Sequence, residues 1–182
     1  MTHRILLVDD EPNVLAALER ALLDEPWEIH TAASGEAGLD ELAKHAFTVI
    51  VSDERMPGMG GAEFLSRARV MYPETLRILL TGQASLESTM KAVNGGEIYR
   101  FFLKPWDEAS VILALRSAVE KSELEEENRQ LLRTVKRQSS ELKMLEKSFP
   151  GITEMRKDDS GAYVLEDISD DEVADLIAKY GG

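Results

Sequence analysis

Apolar residues follow two alternating rhythms along this chain. Short apolar-rich runs occur at Ile5–Val8, Trp27–Thr31, Phe47–Ser52, Leu76–Leu80 and Ile98–Leu103. Their length and β-branched content predict buried strands. Between them, apolar positions recur at helical spacing. Val14, Leu15, Leu18 and Leu22 share one face, with Pro12 in the first turn, where proline is tolerated. A second helix is predicted from Ala37 to Ala43, and a third carries Phe64, Leu65 and Ala68. A fourth spans Leu86 to Val93 and stops at Asn94, Gly95 and Gly96. Five strands alternating with helices predict an α/β fold, a doubly wound parallel sheet. Strands this apolar suit a sheet covered on both faces.

The fifth helix begins after Pro105, with Asp107 as its cap, and neither glycine nor proline interrupts it before Pro150. A continuous helix of that extent is roughly 60 Å long at about 1.5 Å per residue. Val111, Ile112, Leu115 and Val119 form its sheet-facing stripe. Farther on, Leu124, Asn128, Leu131, Val135, Gln138, Leu142, Leu145 and Phe149 alternate four and three apart. That is coiled-coil phasing, and Asn128 falls at an a position, which favours a parallel, in-register dimer at a cost in stability. Pro150 and Gly151 break the helix. The segments "ITEMR" and "AYVLE" flank the turn-rich "KDDSG" and predict a hairpin. A last helix follows, with Ser169 and Glu172 as a capping box. The predicted organisation is a domain over 1–120, a coiled-coil signalling helix over 121–149, and a small hairpin–helix module over 150–182. That module is too small for a self-sufficient core and needs a surface to dock on.

Composition narrows the function classes. The chain has 182 residues, 43% of them hydrophobic, and a net charge of −13. Such an acidic balance argues against direct nucleic-acid binding, which needs clustered lysine and arginine. Without cysteine, disulfides and thiolate metal sites are excluded. No apolar run reaches the ~20 residues of a membrane span, so no membrane insertion is expected. The N-terminus lacks signal-peptide character, and the expected location is cytoplasmic. His3, His30 and His45 are scattered, so no histidine metal site is expected.

The acids carry the chemistry. Asp9 and Asp10 follow the first strand and Asp53 follows the third. In an open parallel sheet these strand ends meet at the carboxyl edge, where ligands bind. Three carboxylates there repel and raise one another's pKa. A hard divalent cation, Mg²⁺, resolves that conflict and accepts phosphate oxygens as further ligands. Thr81 ends the fourth strand and Lys104 the fifth. A hydroxyl and an ammonium beside carboxylates and Mg²⁺ make a phosphoryl-transfer site, with one acid as nucleophile. Glu11 sits at the start of the first helix, where a negative charge suits the helix dipole.

The motifs "VDDEP", "SDERMPGMGG", "LLTG" and "FLKPW" together resemble the receiver domain of two-component response regulators, over roughly residues 4–120. The resemblance implies a flavodoxin-like sheet of order 2-1-3-4-5. It implies Asp53 as phosphoacceptor, Asp10 as direct Mg²⁺ ligand and Asp9 as an acid acting on the ion through water. The Arg55 backbone carbonyl supplies a further ligand in the family pattern. Thr81 matches the switch hydroxyl, Lys104 the phosphate-pairing lysine and Phe101 the switch aromatic. Arg55 and Gln83 match positions bordering the attacking water, where they tune the lifetime of the acyl phosphate. The Lys104–Pro105 bond is commonly cis in the family.

The implied function is a response regulator that accepts a phosphoryl group from a histidine kinase or phosphotransfer protein. It is not an enzyme beyond Mg²⁺-dependent self-phosphorylation and autodephosphorylation. Phosphorylation is expected to alter the surface of the fourth helix, fifth strand and fifth helix, and through the coil to act on a homodimer and a downstream protein. "GGEIYRFFLKPWD" is similar to receivers preceding cyclic-di-GMP phosphodiesterase or transcriptional activator domains. No His-Asp metal motif, nucleotide-loop lysine motif or basic recognition helix of such outputs is present. The alternatives are the receiver portion of a longer regulator with an enzymatic output domain, and a phosphorelay adaptor.

Overall fold

The computed structural model describes residues 2–82 and 98–148, together with the backbone of 156–157 and 163–164. The predicted fourth helix, Gln83, Phe149 and the final helix lie outside the described residues. Five strands form one parallel sheet: β1 (Arg4–Val8), β2 (Glu28–Ala32), β3 (Val49–Asp53), β4 (Leu76–Thr81) and β5 (Arg100–Leu103). Their order is β2-β1-β3-β4-β5, the doubly wound order of flavodoxin-like folds. The helices are α1 (Pro12–Ala21), α2 (Gly35–Lys44), α3 (Gly61–Met71) and α4 (Glu108–Ser148). Helix α4 is the one predicted to follow Pro105. Strand ends differ from the sequence expectation by one or two residues, because backbone pairing rather than side-chain polarity sets them. Asp53 and Thr81, both polar, are thus the last residues of their strands.

The strands read as apolar throughout because both faces of the sheet are covered. Ile5, Leu7, Val49, Val51, Ile78 and Leu80 point to one side, into a core with Leu18, Leu22, Val111, Leu115 and Ala118. Leu6, Val8, Ile50 and Leu79 point to the other, among Leu42, Phe64, Leu65 and Ala68. Successive side chains of a strand face opposite ways, so each strand feeds both cores. Ser34 caps α2, its hydroxyl accepting from the Ala37 amide at 3.2 Å. Asp107 caps α4 as expected, accepting from the Ser110 amide at 2.9 Å.

Two glycines are fixed by close approach. A Cβ on Gly61 would overlap the backbone carbonyl of Asp53, and one on Gly38 would lie 2.8 Å from the Phe64 ring. The first contact folds the loop after β3 tightly back beneath Asp53. The Gly61 amide also donates to the Glu54 carbonyl at 2.9 Å.

By residue contacts the chain divides into Met1–Asn128 and Arg129–Gly182. In the first unit, α4 packs Val111, Ala114, Leu115, Ala118 and Val119 on the sheet. The Arg116 guanidinium clasps the Glu25 carboxylate at 2.6 and 3.1 Å. In the second unit, Leu131, Val135 and Leu142 are exposed at 60%, 59% and 54%. Strands β6 (Arg156–Lys157) and β7 (Tyr163–Val164) pair antiparallel, in the expected hairpin position. Among the described residues no helix is long and apolar enough to cross a membrane.

The fully buried Leu115 gives a direct test of this packing. Leu115→Ala is expected to cost about 2–5 kcal/mol, read as a lower urea midpoint with an unchanged slope. Leu124→Ala, on the same helix but 60% exposed, should leave the unfolding midpoint of the isolated monomer nearly unchanged.

Candidate functional site

The carboxyl edge of the sheet gathers the expected residues. Asp9 follows β1, Asp53 ends β3, Thr81 ends β4 and Lys104 follows β5. Asp9 and Asp53 are buried, at 1% and 5% exposure. One carboxylate oxygen from each of Asp9, Asp10 and Asp53 lies within 4.8 Å of those of the other two. Lys104 bridges the buried pair, its Nζ 2.6 Å from Asp53 Oδ1 and 3.3 Å from Asp9 Oδ2. Backbone amides complete the set: Glu11 donates to Asp9 Oδ1 at 2.8 Å, and Arg55 donates to Asp53 Oδ2 at 2.9 Å. The Glu11 amide contact is also why the acidic run after β1 can turn into α1.

Charge balance decides how these groups behave. Burial holds Asp9 above the usual carboxylate range, and the Asp53 charge adds to the effect; the Glu11 amide and Lys104 oppose it without cancelling it. Burial works against the Lys104 ammonium, yet the hydrogen bond and charge of Asp53, joined by Asp9, hold its pKa above the ordinary value. Among the described residues, Lys104 is the cation in contact with this group of three carboxylates. A donor set of clustered carboxylate oxygens, partly exposed through Asp10 and short of positive charge, fits a hard divalent ion.

The remaining expected residues surround this cluster. Thr81 is fully buried, and its hydroxyl donates to the Gly82 carbonyl at 3.2 Å. The Lys104 amide donates to the Thr81 carbonyl at 2.8 Å, which fixes Lys104 one step past the sheet. The Lys104–Pro105 peptide is cis, as the resemblance implies. The Arg55 guanidinium lies beside Gly82, 3.8 Å from where a Cβ would stand. Phe101 is half-buried against the core containing Ile50, Phe64 and Leu79. Gln83 falls outside the described residues.

Two features escaped the sequence reading. Glu54 is held above its usual pKa by burial, and one of its carboxylate oxygens is buried without a hydrogen-bond partner among the described residues. Nothing in the local pattern distinguishes it from a loop acid. The histidines, moreover, are not all scattered. His30 and His45 stand with ring centroids 4.9 Å apart beside Glu41, because α2 packs back across β2. A separation of fifteen positions in sequence hides that contact.

The comparisons agree with this geometry. The family described as response regulator receiver domain matches residues 5–116. The hydrogenase transcriptional regulatory protein HoxA of Cupriavidus necator is 39% identical over 116 residues, which are 64% of this chain and 24% of that protein. The chain spans about a quarter of the length of the curated relatives it matches. Among solved structures, the signal receiver domain of an HD domain-containing protein from Pseudomonas fluorescens is 40% identical. It covers 69% of this chain and 93% of its own, with a TM-score of 0.65. An adenylate cyclase from Rhodopirellula baltica is 36% identical, covering 73% of this chain and 98% of its own, with a TM-score of 0.70. With its sheet order, its edge of acids and its lysine all in place, the chain belongs to the response regulator receiver domain family.

Proposed function

We propose that the protein is a phosphorylation-controlled switch in which Asp53 accepts a phosphoryl group from a histidine kinase or phosphotransfer protein. The observation that carries this reading is Lys104 Nζ at 2.6 Å from Asp53 within a buried group of acids. An Asp53 carboxylate oxygen attacks phosphorus in line. The new O–P bond forms as the P–N bond to the donor imidazole breaks, and the leaving nitrogen keeps the electron pair. Lys104 neutralises charge on the transferring group, and the Arg55 amide holds the attacking carboxylate in place. Asp9, Asp10, Asp53 and the Arg55 carbonyl are the residues that would hold Mg²⁺, whose positive charge offsets their mutual repulsion and that of the phosphoryl oxygens. Thr81, now bonded to Gly82, turns to the phosphoryl group, and Phe101 moves into the space released.

Output is proposed to run through α4. Its exposed Leu124, Leu131, Val135 and Leu142 support pairing as a parallel coiled coil, with Asn128, Gln138 and Leu145 in the seam. Phe149 extends the same phase in sequence. The organisation proposed is a receiver over 1–120, a signalling helix over 121–149 and a small module over 150–182. A second reading, the receiver portion of a longer regulator with its own output domain, is favoured by the much greater length of the relatives. The intact mass of the natural product separates the two.

Phosphorylation by a small-molecule donor such as acetyl phosphate, with Mg²⁺, should label the wild type and leave Asp53→Ala unlabelled. Labelling of Asp53→Ala at the same rate would sink the assignment.

Mg²⁺ at about a hundredfold excess over its Kd should stabilise the wild type by about 2.7 kcal/mol, and Asp10→Ala should lose most of that gain. Lys104→Met is expected to lower stability by about 1–3 kcal/mol without Mg²⁺, with part of the loss restored when Mg²⁺ is added. A midpoint indifferent to Mg²⁺ in both proteins speaks against the ion site.

Arg55→Ala should shorten the acyl-phosphate lifetime, because its guanidinium flanks Gly82 beside the site; an unchanged decay rate rules that role out. Sedimentation should give a dimer that Leu131→Glu converts to monomer, whereas a monomeric wild type with and without a phosphoryl mimic excludes the coil.

A further inference from the structure

The edge strand β2 and the end of α2 carry a second cluster that the proposed phosphoryl chemistry does not use. His30 lies in β2, Glu41 in the last turn of α2, and His45 at the residue that ends α2. One donor atom from each lies within 4.8 Å of those of the other two. His30 is the middle residue of β2, and His45 stands four residues before β3 begins while Asp53 ends β3, so this cluster shares no residue with the acids at the carboxyl edge.

Its spacing is compatible with a shared metal ion. His30 Nδ1 and Glu41 Oε2 are 3.4 Å apart, long for a hydrogen bond. Tetrahedral ligands at about 2.0–2.1 Å from Zn²⁺ sit about 3.3 Å from one another. The other ring nitrogen, His30 Nε2, is 2.8 Å from Glu28 Oε1. A carboxylate on the far nitrogen fixes the ring and raises its basicity, as in carboxylate–histidine–zinc arrangements. Glu41 divides its oxygens: Oε1 takes the Lys44 ammonium at 2.9 Å, which leaves Oε2 toward His30. Phe47 meets both imidazoles edge-on, with centroids at 5.1 and 6.3 Å, and walls the cluster with apolar surface. All three ligand residues are half-buried, so an ion has access from solvent.

We propose that His30, Glu41 and His45 bind a borderline first-row divalent ion such as Zn²⁺, clipping the C-terminal end of α2 to the edge strand β2. Two imidazoles and one carboxylate leave the fourth position of a tetrahedron for water. Imidazole ligands select such ions over Mg²⁺, so this cluster and the acids would take different metals. Among the described residues β2 is paired only with β1, and the clip would brace that outer strand from the helix side.

The test is calorimetric titration of Zn²⁺ into the full chain at neutral pH, with saturating Mg²⁺ present to occupy the carboxyl edge. The wild type should bind one equivalent. His45→Gln and Glu41→Gln should each weaken that binding about tenfold or more, with circular dichroism confirming an intact fold. Glu28→Gln removes no ligand, so it should weaken binding while leaving the stoichiometry unchanged. In imidazole NMR, Zn²⁺ should shift the His30 and His45 ring nitrogens and leave those of His3 in place. Equal titrations for wild type and the His45→Gln, Glu41→Gln double variant would overturn the proposal. So would shifts confined to His3, or no binding by the wild type.

Discussion

The carboxyl edge of the sheet is organised around two buried carboxylates, Asp9 and Asp53, with the Lys104 ammonium between them. Burial and mutual charge make that arrangement costly. It persists because Lys104 takes one oxygen of each carboxylate and a backbone amide donates to the other. The balance is deliberately incomplete, since three acids face one lysine. An edge held short of positive charge is one that favours a cation and, after it, an anionic phosphoryl group.

The sheet supplies the rigidity this requires. Each strand contributes alternate residues to two separate cores, so no strand can slip without emptying both. Parallel pairing then brings the carboxyl ends of β1, β3, β4 and β5 to one edge in fixed register, with Thr81 opposite Leu103 and Asp53 opposite Leu80. Gly61 closes the loop under Asp53, where only a residue without a Cβ fits. The backbone thus fixes the Arg55 amide on the carboxylate before any ligand arrives.

Helix α4 uses two kinds of surface in succession. Its first turns bury Val111, Ala114 and Leu115 on the sheet and are tied down by the Arg116–Glu25 pair. Its later turns present leucines at coiled-coil spacing to solvent. Beside the edge strand β2, His30, Glu41 and His45 form a separate cluster of titratable groups.

The sequence by itself determined the strands, the helix faces and the identity of the acids, hydroxyl and lysine. These are legible because burial on two faces leaves unbroken apolar runs, and because a parallel sheet brings the residues after its strands to one edge. The Asp107 cap and the hairpin position were legible for the same local reasons. The tertiary structure alone decided how charge is shared among Asp9, Asp53 and Lys104, since that depends on distances between residues up to ninety-five positions apart. It alone buried Glu54 and brought His30 and His45 together. Neither follows a periodic pattern: the histidines meet because a helix folds back on a strand, and Glu54 is buried because a glycine lets a loop close over it. Local periodicity reports which face of an element is covered; it carries no record of which side chains the covering element brings with it.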